Sequence, residues 1–253
     1  MAESLSPHEA SNRRVWDQSH SAWFGRRAAR QWAAEPHWGV WAIPEEELHV
    51  LPDLNGKDLI DLGCGTGYIG AWTMRRGGRP VGIDNSAAQL ATARRLQDEF
   101  DLHFPLIHGS AEDVPLPDAT FDIAISEHGA SGWCDPYRWI PEASRLLRRG
   151  GQLIFMRNST LLTLCDNGDD GPAGVRLTRA QTSLPRIERA DGGVNFQLPT
   201  GAMIAVLRAA GLVVDELVEI IVPSTAGSDF DYVSVDWASK WPSAELWKAT
   251  KIN

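Results

Sequence analysis

Residues 61–70 read DLGCGTGYIG, with four glycines in ten positions directly after a short, mostly apolar run. Glycine has no Cβ, so a turn rich in glycine lets the atoms of a ligand come close to the backbone. A helix that begins after such a turn also offers unpaired N–H groups to the ligand. The stretch therefore predicts a strand, a ligand-binding turn and a helix, which together form one unit of an α/β sheet.

The local pattern fits two classes of ligand. Residues 65–70 match the G-x-G-x-x-G pattern of dinucleotide sites, whereas residues 61–67 have the form D-x-G-x-G-x-G of an S-adenosylmethionine loop. The carboxylate of Asp61 would repel a pyrophosphate and attract the sulfonium and α-amino groups of S-adenosylmethionine. Asp84 ends the next predicted strand and can accept hydrogen bonds from the ribose hydroxyls of either ligand. Charge therefore favours S-adenosylmethionine but leaves both ligands open.

Strands and helices alternate along most of the chain. The expected strands are 58–63, 79–84, 104–109, 121–126, 152–157, 212–223 and 244–251, and the expected helices lie within 67–76, 86–100, 136–149 and 200–210. Such alternation implies right-handed crossovers and a parallel sheet with helices on both faces. The chain is therefore predicted to adopt a Rossmann-like, doubly wound α/β fold.

Two segments depart from this alternation. Residues 9–34 predict one or two helices rich in Ala, Arg, Gln and Trp. Residues 158–198 contain a turn-rich stretch and two short predicted strands joined at residues 191–193, which is a hairpin signal. We therefore expect an N-terminal helical lid over residues 1–50 and one domain over residues 51–253, with a cap-like insertion at 158–198.

The composition limits the partners of the protein. The formal net charge is −9, and a nucleic-acid surface needs clustered positive charge, so we expect no nucleic-acid partner. Three cysteines far apart in the sequence predict neither a disulfide framework nor a metal site. No apolar stretch reaches the length of a membrane span, and the first residues lack a signal core. We expect a cytoplasmic protein that binds a small molecule and no membrane, and the sequence leaves its oligomeric state open.

Several motifs, taken in order, resemble those of the class I S-adenosylmethionine-dependent methyltransferases. The resemblance is greatest to the small-molecule branch that includes the methyltransferases of ubiquinone and menaquinone biosynthesis. It covers roughly residues 55–160 and rests on 61–67, 81–84, 109–117, 121–122 and 146–151. It implies a seven-stranded, mostly parallel sheet with an antiparallel last strand, S-adenosyl-L-methionine as cofactor, and methyl transfer to a small-molecule acceptor.

The resemblance also implies which residues bind the donor. The glycines of the loop would pass under the methionine part, Asp84 would bind the ribose, and residues 110–112 would edge the adenine. The family has an acidic residue where this chain has Ser110, and a hydroxyl meets an exocyclic amine less strongly than a carboxylate does. The expected donor-binding residues are Asp61, Gly63, Cys64, Gly65, Gly67, Asp84, Asn85, Ser110, Ala111, Glu112, Ser126 and Glu127.

The acceptor-side candidates follow the fourth predicted strand or belong to the predicted lid. His128 is the first candidate for a general base, because histidine exchanges its proton near neutral pH, although it could merely hydrogen-bond in its loop. His20 is a second candidate base and lies between Trp16 and Trp23, which share one face of a helix at their spacing. That face either closes over the ligands as a lid or packs on the domain. The expected substrate contacts are Trp16, Trp23, His128, Trp133 and Arg157.

Two other functions stay open at this stage. An NAD(P)-dependent oxidoreductase would share the glycine pattern and Asp84, although the chain has no Tyr-x-x-x-Lys spacing for a catalytic set. A non-catalytic protein that binds S-adenosylmethionine would share every motif, because methyl transfer requires no obligatory catalytic residue.

Overall fold

The computed structural model describes residues 5–168 and 171–252. Residues 1–4 of the expected lid, residues 169–170 of the expected insertion and residue 253 lie outside the described residues. The strands are β1 (His37–Trp38), β2 (Ile43–Pro44), β3 (Asp58–Leu62), β4 (Arg79–Asp84), β5 (Leu106–His108), β6 (Phe121–Glu127), β7 (Leu147–Asn158), β8 (Ile187–Glu188), β9 (Val194–Asn195), β10 (Leu212–Ile220) and β11 (Ala244–Lys251).

Some of the helices precede the seven-stranded sheet in the chain, and the others lie between its strands. They are α1 (Pro7–Val15), α2 (Ser21–Ala33), α3 (Glu45–Leu48), α4 (Tyr68–Arg75), α5 (Ala87–Phe100), α6 (Ala130–Trp133), α7 (Pro136–Leu146), α8 (Thr160–Cys165), α9 (Thr200–Ala209) and α10 (Val235–Ala238). A π-helical turn (Trp16–His20) joins α1 to α2, and a 3-10 turn (Gln181–Ser183) lies in the insertion. None of the helices in the described part of the chain is long and apolar enough to cross a membrane.

One seven-stranded sheet carries the fold, in the order β10-β11-β7-β6-β3-β4-β5. The strands β7, β6, β3, β4 and β5 pair in parallel, whereas β11 is antiparallel to both of its neighbours. The predicted fold class is confirmed, including the antiparallel last strand. The chain starts in the middle of the sheet with β3, moves outward to β4 and β5, and then returns to β6 on the other side. Ligands of such sheets bind at the carboxyl ends of the strands where the direction reverses, next to β3.

Apolar side chains fill both faces of the sheet. Ile154 and Phe155 are successive residues of β7 and belong to different cores, because side chains alternate across a strand. Phe155 stacks on Trp247 with ring centroids 5.8 Å apart, in the core that also contains Trp139. Ile154 lies in the opposite core together with Leu246. The central strands are therefore buried on both faces, which explains their nearly continuous apolar sequences.

The start of β7 differs from the expectation. The sequence predicts a helix within 136–149 and a strand over 152–157, but α7 ends at Leu146 and β7 begins at the next residue. Phe121 pairs with Leu147 and Ile123 pairs with residue 152, so the residues between them form a bulge in β7. Gly150 has a φ of 79°, a left-handed conformation that a bulge requires and glycine adopts easily.

The N-terminal segment and the insertion have the predicted elements. Residues 9–34 form two helices, and the indole N–H of Trp32 in α2 donates to the carbonyl of Thr66 in the glycine loop at 2.8 Å. The insertion contains the hairpin of β8 and β9, in which Ile187 pairs with Asn195. Both segments lie next to the carboxyl ends of the central strands, where they border one large cavity.

Candidate active site

The cavity has a volume of about 650 Å³ and lies at the carboxyl ends of β3, β4, β6 and β7. Its floor is the glycine loop together with the residues that end β4 and β6. Its cover comes from α1, the π-helical turn, α2, the hairpin of β8 and β9, and the segment 229–232. All of the ligand-binding residues expected from the sequence lie in its wall, except Gly67, Glu112 and Ser126.

The glycines of the loop have different roles. Gly63, Gly65 and Gly67 have φ values of 78°, 53° and 80°, which are left-handed conformations. A Cβ on Gly63 would lie 2.6 Å from the backbone nitrogen of Ala130, whereas a Cβ on Gly65 would meet nothing within 4 Å. Gly65 therefore leaves open space on the cavity side, where a ligand can approach the backbone. A Cβ on Gly70 would overlap the ring of Phe104, so this glycine serves helix packing rather than ligand binding.

Asp84 links the end of β4 to the glycine loop. One carboxylate oxygen accepts the N–H of Gly65 at 2.8 Å, and the other accepts the N–H of Ser86 at 2.8 Å. Burial raises the pKa of Asp84 above its ordinary value, although these two hydrogen bonds counteract the rise. Each oxygen keeps a free lone pair, so the carboxylate can still accept hydrogen bonds from a ligand in the cavity.

Three carboxylates gather at the centre of the cavity floor. Asp61 is 2% exposed, and burial together with the charges of Asp84 and Glu127 raises its pKa well above the ordinary value. Glu127 accepts the N–H of Gly39 at 2.9 Å and the hydroxyl of Tyr68. Such a group of buried acids is costly while no cation is near, because like charges repel in a low dielectric. The floor therefore suits a positively charged ligand.

His128 follows β6 and stands at the wall between the floor and the cover. Its backbone has a φ of 52°, and its N–H donates to the carbonyl of Met156 at 3.0 Å. Its ring nitrogen Nε2 is buried and has no hydrogen-bond partner among the described residues. Such a nitrogen is an exception, because most buried polar atoms have a hydrogen-bond partner.

The π-helical turn arranges the aromatic part of the cover. Trp16 packs against His20, Phe24 and Trp133, with ring centroids 5.0, 5.0 and 5.2 Å apart. Nε2 of His20 lies 3.2 Å from a carboxylate oxygen of Asp191 in the insertion. A helix with an extra residue in one turn changes the face that later residues share. Trp16 contacts the rings of residues four and eight positions later, His20 and Phe24, in tilted arrangements.

Trp23 contacts a part of the cover that was not predicted from the sequence. Its ring lies 4.8 Å from that of Phe230, and the guanidinium of Arg27 lies 3.3 Å from its centroid. Arg27 also pairs with Asp229 at 3.1 Å, which holds the segment 229–232 over the cavity. The hydroxyl of Tyr232 donates to the side chain of Asn158 at 3.3 Å. In the sequence, the close spacing of the aromatic residues Phe230 and Tyr232 could have indicated this part of the cover.

Arg157 lies in the cavity wall but is 1% exposed. Its Nη2 donates to Glu245 and to the carbonyl of Leu198, both at 2.9 Å, whereas Nη1 has no partner among the described residues. Burial lowers the pKa of Arg157, and the neighbouring Glu245 counteracts this effect. Its charge is therefore balanced within the protein by Glu245.

Ser126 and Glu112 face away from the cavity. The hydroxyl of Ser126 donates to the carbonyl of Leu62 at 2.8 Å and accepts the N–H of Ser131 at 3.0 Å, and it thereby joins β3 to β6. One oxygen of Glu112 lies 2.7 Å from Nε2 of His8 and accepts the N–H of Asp135 at 2.7 Å. Both side chains thus form hydrogen bonds within the fold, and Gly67 caps the start of α4.

The comparisons with known proteins agree with this geometry. A family model described as a methyltransferase domain matches residues 60–155. Over these residues the chain is similar to the class I S-adenosylmethionine-dependent methyltransferases. S-adenosyl-L-methionine is the methyl donor of this family, and the open side of Gly65 and the acidic floor suit its cationic methionine part. The match favours a methyltransferase over the oxidoreductase alternative.

Two curated relatives illustrate the range of the family. The chain is 39% identical over 150 residues to a malonyl-[acyl-carrier protein] O-methyltransferase of Serratia marcescens, and the match covers 57% of this chain and 56% of the relative. It is 31% identical over 119 residues to a demethylmenaquinone methyltransferase of Listeria welshimeri, covering 46% and 50%. The chain thus spans about half the length of the curated relatives that it matches.

Solved structures share the fold over almost the whole chain. A geranyl diphosphate C-methyltransferase from Streptomyces coelicolor, solved with Mg²⁺, geranyl diphosphate and S-adenosyl-L-homocysteine, has a TM-score of 0.66. The alignment covers 98% of the present chain and 99% of that chain at 16% sequence identity. At this identity the likeness establishes the fold, including the N-terminal helices, and not the substrate.

Proposed function

We propose that this protein transfers the methyl group of S-adenosyl-L-methionine to an oxygen, nitrogen or carbon nucleophile of a small molecule. The observation that carries the proposal is the continuity of one cavity, from the acidic floor at Asp61 to the aromatic cover around Trp16. The floor suits the cationic donor, and the aromatic cover suits an apolar or planar acceptor. Both ligands would then meet beside His128.

We propose the following donor contacts. Asp84 accepts hydrogen bonds from the ribose, the open side of Gly65 faces the methionine part, and the charge of Asp61 balances that of the sulfonium. The loop after β5, with Ser110 and Ala111, borders the adenine. The donor supplies an activated methyl group, so the protein mainly has to align the acceptor and exclude water.

We propose that His128 accepts the proton of an acceptor that must lose one. This role rests on its buried, unpartnered Nε2 in the cavity wall. The N-terminal segment to about residue 50 and the insertion 158–198 act together as the lid that excludes water, since both border the cavity. A non-catalytic donor-binding protein would have the same floor but would need neither a proton acceptor nor a closed acceptor chamber.

Thermal denaturation with added ligands tests the proposal. S-adenosylmethionine and S-adenosylhomocysteine are expected to raise the melting temperature, and NAD and NADP are not, because ligands stabilise only the state that binds them. The variant Asp84→Asn should lose most of this shift, whereas Asp98→Asn, on the exposed face of α5, should keep it. A response to NAD alone, or an unchanged shift in Asp84→Asn, would contradict the donor site. Methyl transfer to a fraction of small metabolites then separates an enzyme from a binding protein.

A further inference from the structure

The first turn of α1 brings an acidic side chain into the donor end of the cavity. Ser6 and Glu9 form a capping box, in which the backbone N–H of Ser6 donates to the Glu9 carboxylate at 2.8 Å. Glu9 is 7% exposed and lines the cavity. A buried carboxylate in a cavity wall is costly unless it is hydrogen-bonded or meets a ligand that donates hydrogen bonds to it.

Contacts with the loops after β4 and β5 hold the start of α1 in place. The side-chain amide of Asn85 donates to the carbonyl of Glu9 at 2.8 Å, and Arg13 donates to the side chain of Asn85 at 2.6 Å. On the other side, His8 pairs with Glu112 at 2.7 Å. The start of α1 is therefore held to both loops that border the proposed adenine site.

Glu9 is a charged hydrogen-bond acceptor. Burial raises its pKa, but hydrogen bonds with Ser110 and Ser6 outweigh burial and bring the pKa below the ordinary value. The group is therefore a carboxylate at neutral pH. Its two oxygens together have about four lone-pair sites, more than these neighbours occupy, so it can accept a further N–H from the cavity.

The order of the strands places the donor's base next to Glu9. The glycine loop follows β3, Asp84 ends β4, and Ser110 follows β5, so these features lie in sequence across the sheet. With the methionine part at the loop and the ribose at Asp84, the base extends toward the loop after β5. Ser110, Ala111 and Glu9 form the cavity wall at that end.

We propose that Glu9 binds the exocyclic amine of the donor's adenine, and that α1 is therefore part of the donor site and not only a cover. The inference rests on the proposed function. The amine is purely a donor and the carboxylate purely an acceptor, so the pair forms a charge-assisted hydrogen bond. Helix α1 thus contributes a carboxylate to the end of the cavity formed by Ser110 and Ala111.

Binding of two matched nucleosides to the full chain, measured by isothermal titration calorimetry, tests this contact. S-adenosylhomocysteine has the exocyclic amine, whereas S-inosylhomocysteine has a carbonyl oxygen at that position and would face the Glu9 carboxylate with repulsion. The wild type is expected to prefer the adenine compound. Glu9→Gln should weaken its binding by about tenfold to a hundredfold, the range for a hydrogen bond to a charged group. The same variant should strengthen binding of the inosine compound, because the charge that repels its carbonyl oxygen is replaced by an amide that can donate to it.

The choice of variants separates recognition from folding. Glutamine also completes a capping box, so Glu9→Gln keeps the start of α1. Ser6→Ala removes the cap but keeps the Glu9 carboxylate, so it should preserve the preference for adenine. Equal affinity of the wild type for both nucleosides, equal losses for both in Glu9→Gln, or the same loss of preference in Ser6→Ala would overturn the inference while leaving the proposed function intact. A wild type that binds neither nucleoside would overturn the proposed function itself.

Discussion

The buried carboxyl group of Asp61 affects both the stability of the ligand-free protein and its binding of a cation. Its carboxyl group is buried beside two other acids, and no side-chain hydrogen bond reaches it from the described residues. A carboxyl group whose pKa is raised by folding opposes the folded state once it is ionised. The residue therefore lowers the stability of the free protein near neutral pH and is compensated when a cation binds.

The variant Asp61→Asn tests the effect of this carboxyl group on stability. At pH 7 it should raise the free energy of unfolding of the ligand-free protein by about 1–3 kcal/mol, the range for relieving a poorly paired buried group. Because the folded pKa is raised, wild-type stability should fall as the pH rises from about 4 through the pKa of Asp61, and this part of the profile should be flatter in the variant. Urea denaturation at several pH values measures it.

Donor binding supplies the second half of that test. Asp61→Asn should weaken the binding of S-adenosylmethionine more than that of S-adenosylhomocysteine, because only the former has a sulfonium charge. Equal losses for the two compounds would show that Asp61 does not balance that charge.

A second prediction at this scale concerns the proposed base, His128. His128→Asn suits the φ of 52°, because asparagine adopts this left-handed conformation more readily than most residues. Turnover should fall by about 10²–10⁴-fold, the usual contribution of acid–base catalysis, whereas the affinity for S-adenosylhomocysteine should not change. His49→Asn is a matched control, since His49 has a φ of 51° and is exposed outside this cavity. Unchanged turnover in His128→Asn would leave the residue as a loop contact only.

At the scale of elements, α2 contacts the glycine loop in the floor of the cavity and also forms part of its cover. Trp32 is fully buried, and its indole N–H donates to the carbonyl of Thr66 at 2.8 Å. Trp139 in α7 is equally buried, but its indole nitrogen has no partner among the described residues. The two tryptophans therefore offer a comparison of the same side chain with and without its hydrogen bond.

Replacing each of them with phenylalanine measures the tie between α2 and the glycine loop. Both variants lose packing, but Trp32→Phe also leaves a buried carbonyl unpaired, so it should lose about 1–3 kcal/mol more stability than Trp139→Phe. It should also weaken donor binding, because Thr66 belongs to the loop. Equal losses in denaturation experiments would show that the hydrogen bond contributes nothing to stability.

Elements with a strong local signal were predictable, and their contacts were less so. The glycine loop and the alternating apolar runs indicate β3, α4 and β4 within one or two residues, because these signals depend on neighbours in the sequence. The π-helical turn has no such signal, so the ring partners of Trp16 could not be predicted from the sequence. The side chain of Ser126 was expected at the donor but bonds within the fold, since the sequence does not show which face of β6 it occupies.

At the scale of the molecule, the fold and the floor of the site could be predicted, and most of the cover could not. The ends of neighbouring parallel strands meet in space whatever the loops do, so Asp61, Asp84 and His128 were expected together. Glu9 and Phe230 reach the same cavity from segments more than two hundred residues apart. No local pattern relates such segments, and only the packed structure brings them together.

The place of β11 in the sheet also bears on how the protein is made. This strand is synthesised after every other strand of the sheet, yet it lies between β10 and β7. Its Glu245 balances the buried Arg157 of the cavity wall. A nascent chain can assemble the glycine loop early, but β10 has no place in the sheet, and Arg157 no counter-ion, until β11 has left the ribosome. The cavity wall at Arg157 is therefore completed only after every other strand of this sheet has been synthesised.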